Sequence, residues 1–185
     1  TPISRASFPG LVRRALPPYE VLCTPWLSFS DVLRLKMVED MVENYYNSHQ
    51  FDGTLEKLIP KFPSPFAFFE RLAEFYEERH AEQRKHSRVQ RYELLLAFAQ
   101  KSFSEEEQSF RQLLTIDYYL RERAKARPSF APVQAWYKEE LSEILRQTGK
   151  QNHVEAGPAG DGQVKYLVFD YESREPLTHA ARVIE

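Results

Sequence analysis

The sequence predicts a mainly α-helical domain of the α+β class: a helical bundle of about five helices with a small C-terminal antiparallel β-meander and an irregular N-terminal strap. Three observations lead there. Between Ser28 and Gly149 apolar residues recur at the helical period; serine and proline fall where helices begin or stop; and after Asn152 short β-prone segments parted by glycine replace that pattern. At 185 residues, 42% hydrophobic and 14% aromatic, the chain can bury a real core and is most simply one domain.

Residues 1–27 read as the strap, and 28–185 as a single helical domain with its strands at about 152–185. Pro2, Pro9, Gly10, Pro17, Pro18 and Pro25 deny the strap a long helix and leave a short extended piece at Tyr19 to Cys23. The first helix begins near Ser28 or Ser30, because Ser28 and Asp31 have capping-box spacing, and runs to about Asn47 with Leu35, Val38, Met41, Val42 and Tyr45 inward. A short helix follows Thr54 and buries Leu55, Leu58 and Ile59 before Pro60 and Pro63 stop it. Ser64 and Pro65 open the next, since serine caps and proline is tolerated at the first helical position; it reaches about His80 with Phe66, Phe69, Leu72, Ala73 and Tyr76 as its stripe. Another spans Lys85 to Lys101 with Val89, Tyr92, Leu95, Leu96 and Ala99 inward. Ser104 and Glu107 have the spacing of a second capping box, opening a helix through Phe110, Leu113, Leu114 and Tyr118 toward Arg123, and Pro128 ends that segment. The last helix starts near Pro132 and buries Val133, Trp136, Tyr137, Leu141, Ile144 and Leu145, with Gly149 just past its end. Asn152–Ala156, Lys165–Tyr171 and Ala181–Ile184 supply the strands, and because three strands with one apolar face need a cover, the meander belongs against the helices.

Composition narrows the function classes. A formal net charge of −2, from 25 basic and 27 acidic residues, makes no general electrostatic case for nucleic acid or an anionic membrane. No apolar run approaches the roughly 18 residues of a bilayer span, and the N-terminus lacks a signal-peptide pattern, so a cytoplasmic protein without membrane contact is expected. Cys23, the single cysteine, sits in the apolar run Val21-Leu22-Cys23; it excludes an internal disulfide and any cysteine-ligated cluster or zinc site within one chain.

Candidate chemistry is thin, and no catalytic, cofactor-binding or metal-ligating residue is assigned. Glu77 and His80 form a Glu-x-x-His pair, but a bundle di-metal site needs two such pairs, and the charged run Glu77 to Arg91 reads as a solvated helix end. His49, His86, His153 and His179 lack metal-ligand spacing. Gly157 to Gly162 precedes a strand rather than a helix, so a hairpin loop is the reading, not a phosphate cradle. Arg121, Arg123, Lys125 and Arg127 form a basic patch at the end of the fifth helix, where cations oppose the negative end of the macrodipole; contact with nucleic acid or an acidic partner is the functional alternative. Asp117 lies mid-helix beside the apolar stripe, and if buried it needs a partner such as an arginine.

Thr1-Pro2-Ile3, Pro17-Pro18-Tyr19-Glu20-Val21-Leu22, Leu33-Arg34-Leu35-Lys36, Tyr45-Tyr46-Asn47-Ser48 and Ser64-Pro65-Phe66-Ala67-Phe68-Phe69 stand in order along the chain, followed by Leu113 to Arg121, His153-Val154-Glu155, Phe169-Asp170-Tyr171 and Pro176-Leu177-Thr178. Together they resemble the C-terminal accessory domain, catalogued as domain of unknown function 4080, of cobalamin-binding radical S-adenosylmethionine proteins described as iron–sulfur oxidoreductases. The resemblance implies a longer parent in which a radical-enzyme barrel and a cobalamin domain precede this chain and are its partners. It also implies that the four-iron (4Fe-4S) cluster, S-adenosylmethionine and cobalamin belong to that parent: no Cys-x-x-x-Cys-x-x-Cys triad and no Asp-x-His-x-x-Gly pattern occurs here, so none of these cofactors is expected in this chain. The expected role is non-catalytic, flanking the barrel and aiding substrate or partner recognition. A homodimer of the isolated chain through its apolar strap is a further expectation. A stand-alone helical module for protein or nucleic-acid interaction is the reading from a different class.

Overall fold

Ser28 starts the helical part as its spacing to Asp31 requires. Its hydroxyl accepts the Asp31 N–H at 3.2 Å, the Asp31 carboxylate accepts the Ser28 N–H at 2.9 Å, and helix α1 (Phe29–Met41) leaves this capping box. A π-helical turn, Val42–Tyr46, extends α1 and carries Tyr45 into the core. The computed structural model describes residues 10–81, 86–134, 137–149, 151–158 and 164–184. Ahead of α1, residues 10–27 are more ordered than their prolines suggest: β1 (Val12–Arg13) and β2 (Val21–Cys23) pair antiparallel, and Lys36 of α1 holds Glu20 at 2.7 Å.

Helix α2 (Asp52–Leu58) already begins at Asp52, ahead of the expected start, and passes into a 3₁₀ turn at Ile59–Lys61. Helix α3 (Pro65–Glu78) is capped by Ser64, whose hydroxyl accepts the Ala67 N–H at 3.1 Å, with proline in its first turn. Helix α4 (Arg88–Ser102) starts later than Lys85, because Ser87 and Gln90 make the capping box. The Ser104 box does not form. Residues Ser104–Glu106 make a 3₁₀ turn instead, the Glu107 carboxylate accepts from Arg111 Nε at 2.7 Å, and helix α5 (Glu107–Arg121) ends short of Arg123.

The last helix differs most from expectation. Helix α6 (Lys138–Thr148) starts well after Pro132, ends at Gly149 with φ +109°, and leaves Val133 exposed. The physical reason is tethering. Arg111 donates to the Phe130 carbonyl at 3.0 Å and Arg127 to the Pro132 carbonyl at 2.8 Å, so this stretch follows the body of the protein while Phe130 enters the core and stacks on Tyr92 at 5.2 Å. Trp136, expected in the core, lies outside the described residues.

Two more inward assignments are corrected. Leu35 is exposed because the seam of α1 against α3 runs through Val38, Met41 and Tyr45 and is closed by Arg34, which reaches Glu70 at 2.7 Å; Leu35 lies to one side of it. Phe66 is exposed as well. The buried face of α3 is turned toward Phe68 and Phe75, which meet the Phe98 ring of α4 edge-on at 5.9 and 5.5 Å. Around these rings Leu58, Leu72, Leu95, Phe110 and Leu114 are buried, each side chain contributing about 1.5–3 kcal/mol.

After α6 come β3 (His153–Pro158), β4 (Val164–Arg174) and β5 (Ala181–Ile184), antiparallel in that spatial order with His153 opposite Phe169 and Phe169 opposite Val183. The meander lies on α5, as the need for a cover requires. Phe169 is buried near Tyr119, Tyr171 donates to the Glu122 carbonyl at 3.1 Å, and Arg121 donates to the Thr178 carbonyl.

Asp117 is buried, and its partner is a helix start rather than an arginine. No side chain on α2 caps that helix; the N–H groups of Gly53 and Thr54 donate to the Asp117 carboxylate at 3.0 and 2.9 Å, and the Thr54 hydroxyl donates at 2.6 Å. The approach is close enough that a Cβ on Gly53 would stand 3.0 Å from Asp117 Oδ1, which makes glycine the fitting residue there. Burial, partly opposed by these three donors, pushes the carboxyl up to about 6. Asp117→Ala strands buried donors and is expected to cost about 2–4 kcal/mol in denaturant melts. Since the folded-state value lies above the ordinary 3.8, the native protein holds the proton more tightly than the unfolded chain. The contribution of this group therefore falls as pH rises through about 6, and the stability difference between wild type and Asp117→Asn should shift against wild type from pH 4 to 7. A pH-independent difference would contradict the assignment.

Candidate functional site

None of the metal or catalytic pairings open to the sequence is assembled. His80 follows the end of α3 with φ +50°, so it and Glu77 do not share a helical face. His49 faces Asp52 at 3.4 Å in solvent, and His86 lies 2.7 Å from the Ala81 carbonyl with its ring edge-on to Tyr76. His179 sits in the turn before β5 with φ +55°. Among the described residues no group of three or more His, Cys, Asp or Glu could hold a metal ion. Cys23 is half-buried in β2. The glycine-rich run joins paired strands, Pro158 opposite Val164, so it is the connection of a hairpin; residues 159–163 themselves lie outside the described ones.

The basic patch is divided by the fold. Because α5 ends at Arg121, only that residue occupies the last helical turn, where it reaches Thr178 and, at 3.8 Å, Asp52. Arg127 turns inward to Glu155. Lys125 and Arg127 then line a cleft of about 440 Å³ bounded by the end of α5 (Tyr119), the inner face of α6 (Lys138, Leu141, Leu145) and the edge of β3 (His153, Val154). The spacing of those α6 residues explains the alignment, since positions three, four and seven apart share one helical face.

A buried carboxylate organises one wall of this cleft. Glu155 Oε1 accepts from Arg127 and from His153 Nε2, the latter at 2.6 Å, while Oε2 accepts from Gln134 Nε2 at 2.7 Å. Arg127 also donates to Pro132, and Gln134 to the Ala156 carbonyl at 2.7 Å, so the same side chains fasten the chain ahead of α6 to the meander. The His153 ring lies flat on Tyr119, centroids 3.5 Å apart and planes 20° from parallel. Burial, reinforced by the Glu155 charge, pushes the Tyr119 hydroxyl up to about 12, so it stays protonated at neutral pH.

Among the described residues lining this cleft, no nucleophile is set against a base. The Glu155 oxygens are occupied, the tyrosine is not ionised, and Ser142, the serine on the cleft wall, donates to the Lys138 carbonyl at 2.7 Å instead of to an imidazole. Sequence reasoning set aside His153 for lack of ligand spacing and passed over Glu155 and Gln134. A signal was present: Glu155 lies between Val154 and Ala156 in a β-prone run, and a glutamate buried there requires a cation such as Arg127.

A model of the family described as protein of unknown function (DUF4080) matches residues 10–161. The match takes in the strap hairpin, the six helices among the described residues and β3, and the chain belongs to this family. No curated protein and no solved structure matches it. No helix among the described residues is long and apolar enough to cross a membrane.

Glu155→Ala would leave Arg127 and His153 facing each other without their anion. Because the arginine is about one-third exposed, with 34% of its side-chain surface accessible, the expected loss is about 1–3 kcal/mol, smaller than for a fully buried pair. Thermal melts should show it, together with faster amide exchange at 127–134. A melt like that of wild type would mean the clamp does not hold the connection.

Proposed function

We propose that this chain is the non-catalytic C-terminal accessory domain of a longer cobalamin-dependent radical S-adenosylmethionine iron–sulfur oxidoreductase, flanking its barrel and aiding substrate or partner recognition. The parent's barrel and cobalamin domain are its partners, the parent is cytoplasmic, and the cofactors and chemistry belong to the parent. In this reading residues 1–27 are the strap from the barrel and 28–185 the accessory domain. Family membership supports the reading, and one structural observation carries it: the strap and the start of α1 present a run of apolar side chains that nothing among the described residues covers. Trp26 is 88% exposed, and Val12, Leu16, Tyr19, Phe29 and Leu33 of the same two segments are exposed as well. Large apolar residues so concentrated mark a surface that meets another. Burying such surface is favourable by about 25 cal/mol per Å².

The reading frame upstream of Thr1 is the first test, and a Cys-x-x-x-Cys-x-x-Cys triad ahead of it is the expected result. For docking, the parent's upstream segment is expressed separately and mixed with this chain carrying Trp26→Ser, Phe29→Ser and Leu33→Ser. Weakened association with an unchanged helical melt is expected, because these side chains lie outside the core. Association at wild-type strength would place the contact elsewhere, and an upstream frame without the triad would overturn the parent assignment.

A further inference from the structure

We propose that the cleft between α6 and β3 binds a small anionic amphiphile, a carboxylate or phosphate head on an apolar body. This site is separate from the docking surface on the strap and does not depend on it. Lys125 and Lys138 both line the cleft, and neither forms an ion pair with a described residue. Helix electrostatics explains neither position. Lys125 lies beyond the last turn of α5, where the macrodipole no longer reaches, and Lys138 is the first residue of α6, at the positive end, where a cation is disfavoured.

The remaining charges leave the cleft positive. Arg127 is matched by Glu155, which also holds His153. On α6, Glu143 engages Arg146 at 2.5 Å and Glu140 lies toward Tyr166; neither they nor Glu139 line the cleft.

Between the lysines the wall is apolar. Leu141 and Leu145 face the cleft opposite Val154, and although these leucines belong to the apolar stripe of α6, no residue of that helix is fully buried. A volume of about 440 Å³ with an apolar lining and a few convergent polar groups is that of a small-molecule site. The two features together select the ligand. A wholly polar anion would leave the leucines wet, and a neutral or cationic amphiphile would leave the lysines unmatched.

The 185-residue chain is titrated with octyl phosphate and with octanoate by calorimetry and by amide NMR. Octylamine and inorganic phosphate serve as controls, and phosphatidylglycerol vesicles test for a lipid surface. Saturable binding of at least one anionic amphiphile is expected, with shifts at 138–145 and 153–154 and little response to either control. Lys125→Gln with Lys138→Gln should weaken binding at least about tenfold, the loss of two charge-assisted contacts, with an unchanged melt. The NMR map of the unmutated chain reads the site even if the variant is unstable. The proposal is overturned if neither amphiphile binds saturably, if the shifts lie elsewhere, if octylamine or inorganic phosphate binds as tightly, or if a folded double variant binds undiminished. A chain that sediments with the vesicles while ignoring both monomeric amphiphiles overturns the assignment to a free ligand.

Discussion

The start of α2 is the point on which the helical body depends, and the Asp117 carboxylate holds it there. Seven residues are too few for a helix to persist on its own, and α2 brings no side-chain cap. Its first N–H groups are satisfied from α5, 63 and 64 positions away in sequence, so neither helix keeps its place without the other. The residues just before α2 are held as firmly. Phe51 packs between Tyr45 and Tyr92 at 4.8 and 4.4 Å, and the Tyr92 hydroxyl donates to the Gln50 carbonyl at 2.8 Å. Tyr45 in turn shares a 2.5 Å hydrogen bond with Tyr76 of α3. The end of α1, α3, α4 and α5 thus meet around one short helix, and burial there raises the Asp117 carboxyl.

A second buried carboxylate does comparable work at the other end of the domain, with different partners. Asp117 is satisfied by backbone and hydroxyl donors and has no ion-pair partner among the described residues; Glu155 is satisfied by a guanidinium, an imidazole and an amide. The first fastens helix to helix. The second fastens the 122–134 connection to β3, and with Phe130 already seated on Tyr92 the connection has little freedom to coil. That tether delays α6 until Lys138 and leaves the helix leaning on the meander with its leucines only half-buried, which is the origin of the cleft.

The two surfaces left open by this packing differ in kind. The strap and the start of α1 offer exposed aromatic and aliphatic side chains, suited to a protein surface of similar character. The cleft offers lysines around an apolar wall, suited to something small and charged. Among the described residues, neither surface sets a nucleophile against a base.

Much of the fold was legible in the sequence where the decisive interactions are local. The Ser28–Asp31 box, the Ser64–Pro65 start and the Gly149 stop each act within a turn, and the order of the meander follows from short β-prone runs separated by tight connections. Where several local choices competed, tertiary contacts decided. The inner face of α3 turned from Phe66 toward Phe68 because Phe98 lay on that side, whereas at Ser104 the competitor to the cap was itself local, the Glu107–Arg111 pair one turn apart on α5. Of the candidate site, the sequence showed the basic residues and His153 but not their grouping; Glu155 and Gln134 gained meaning only when the meander folded back on the connection ahead of α6. By itself, then, the sequence determined which segments are helix or strand and which residues are apolar enough for the core. The tertiary structure alone decided where Asp117 and Glu155 find their partners and which lysines face the cleft, because a buried charge is satisfied by whatever groups the fold brings within about 3 Å, however far apart they lie along the chain.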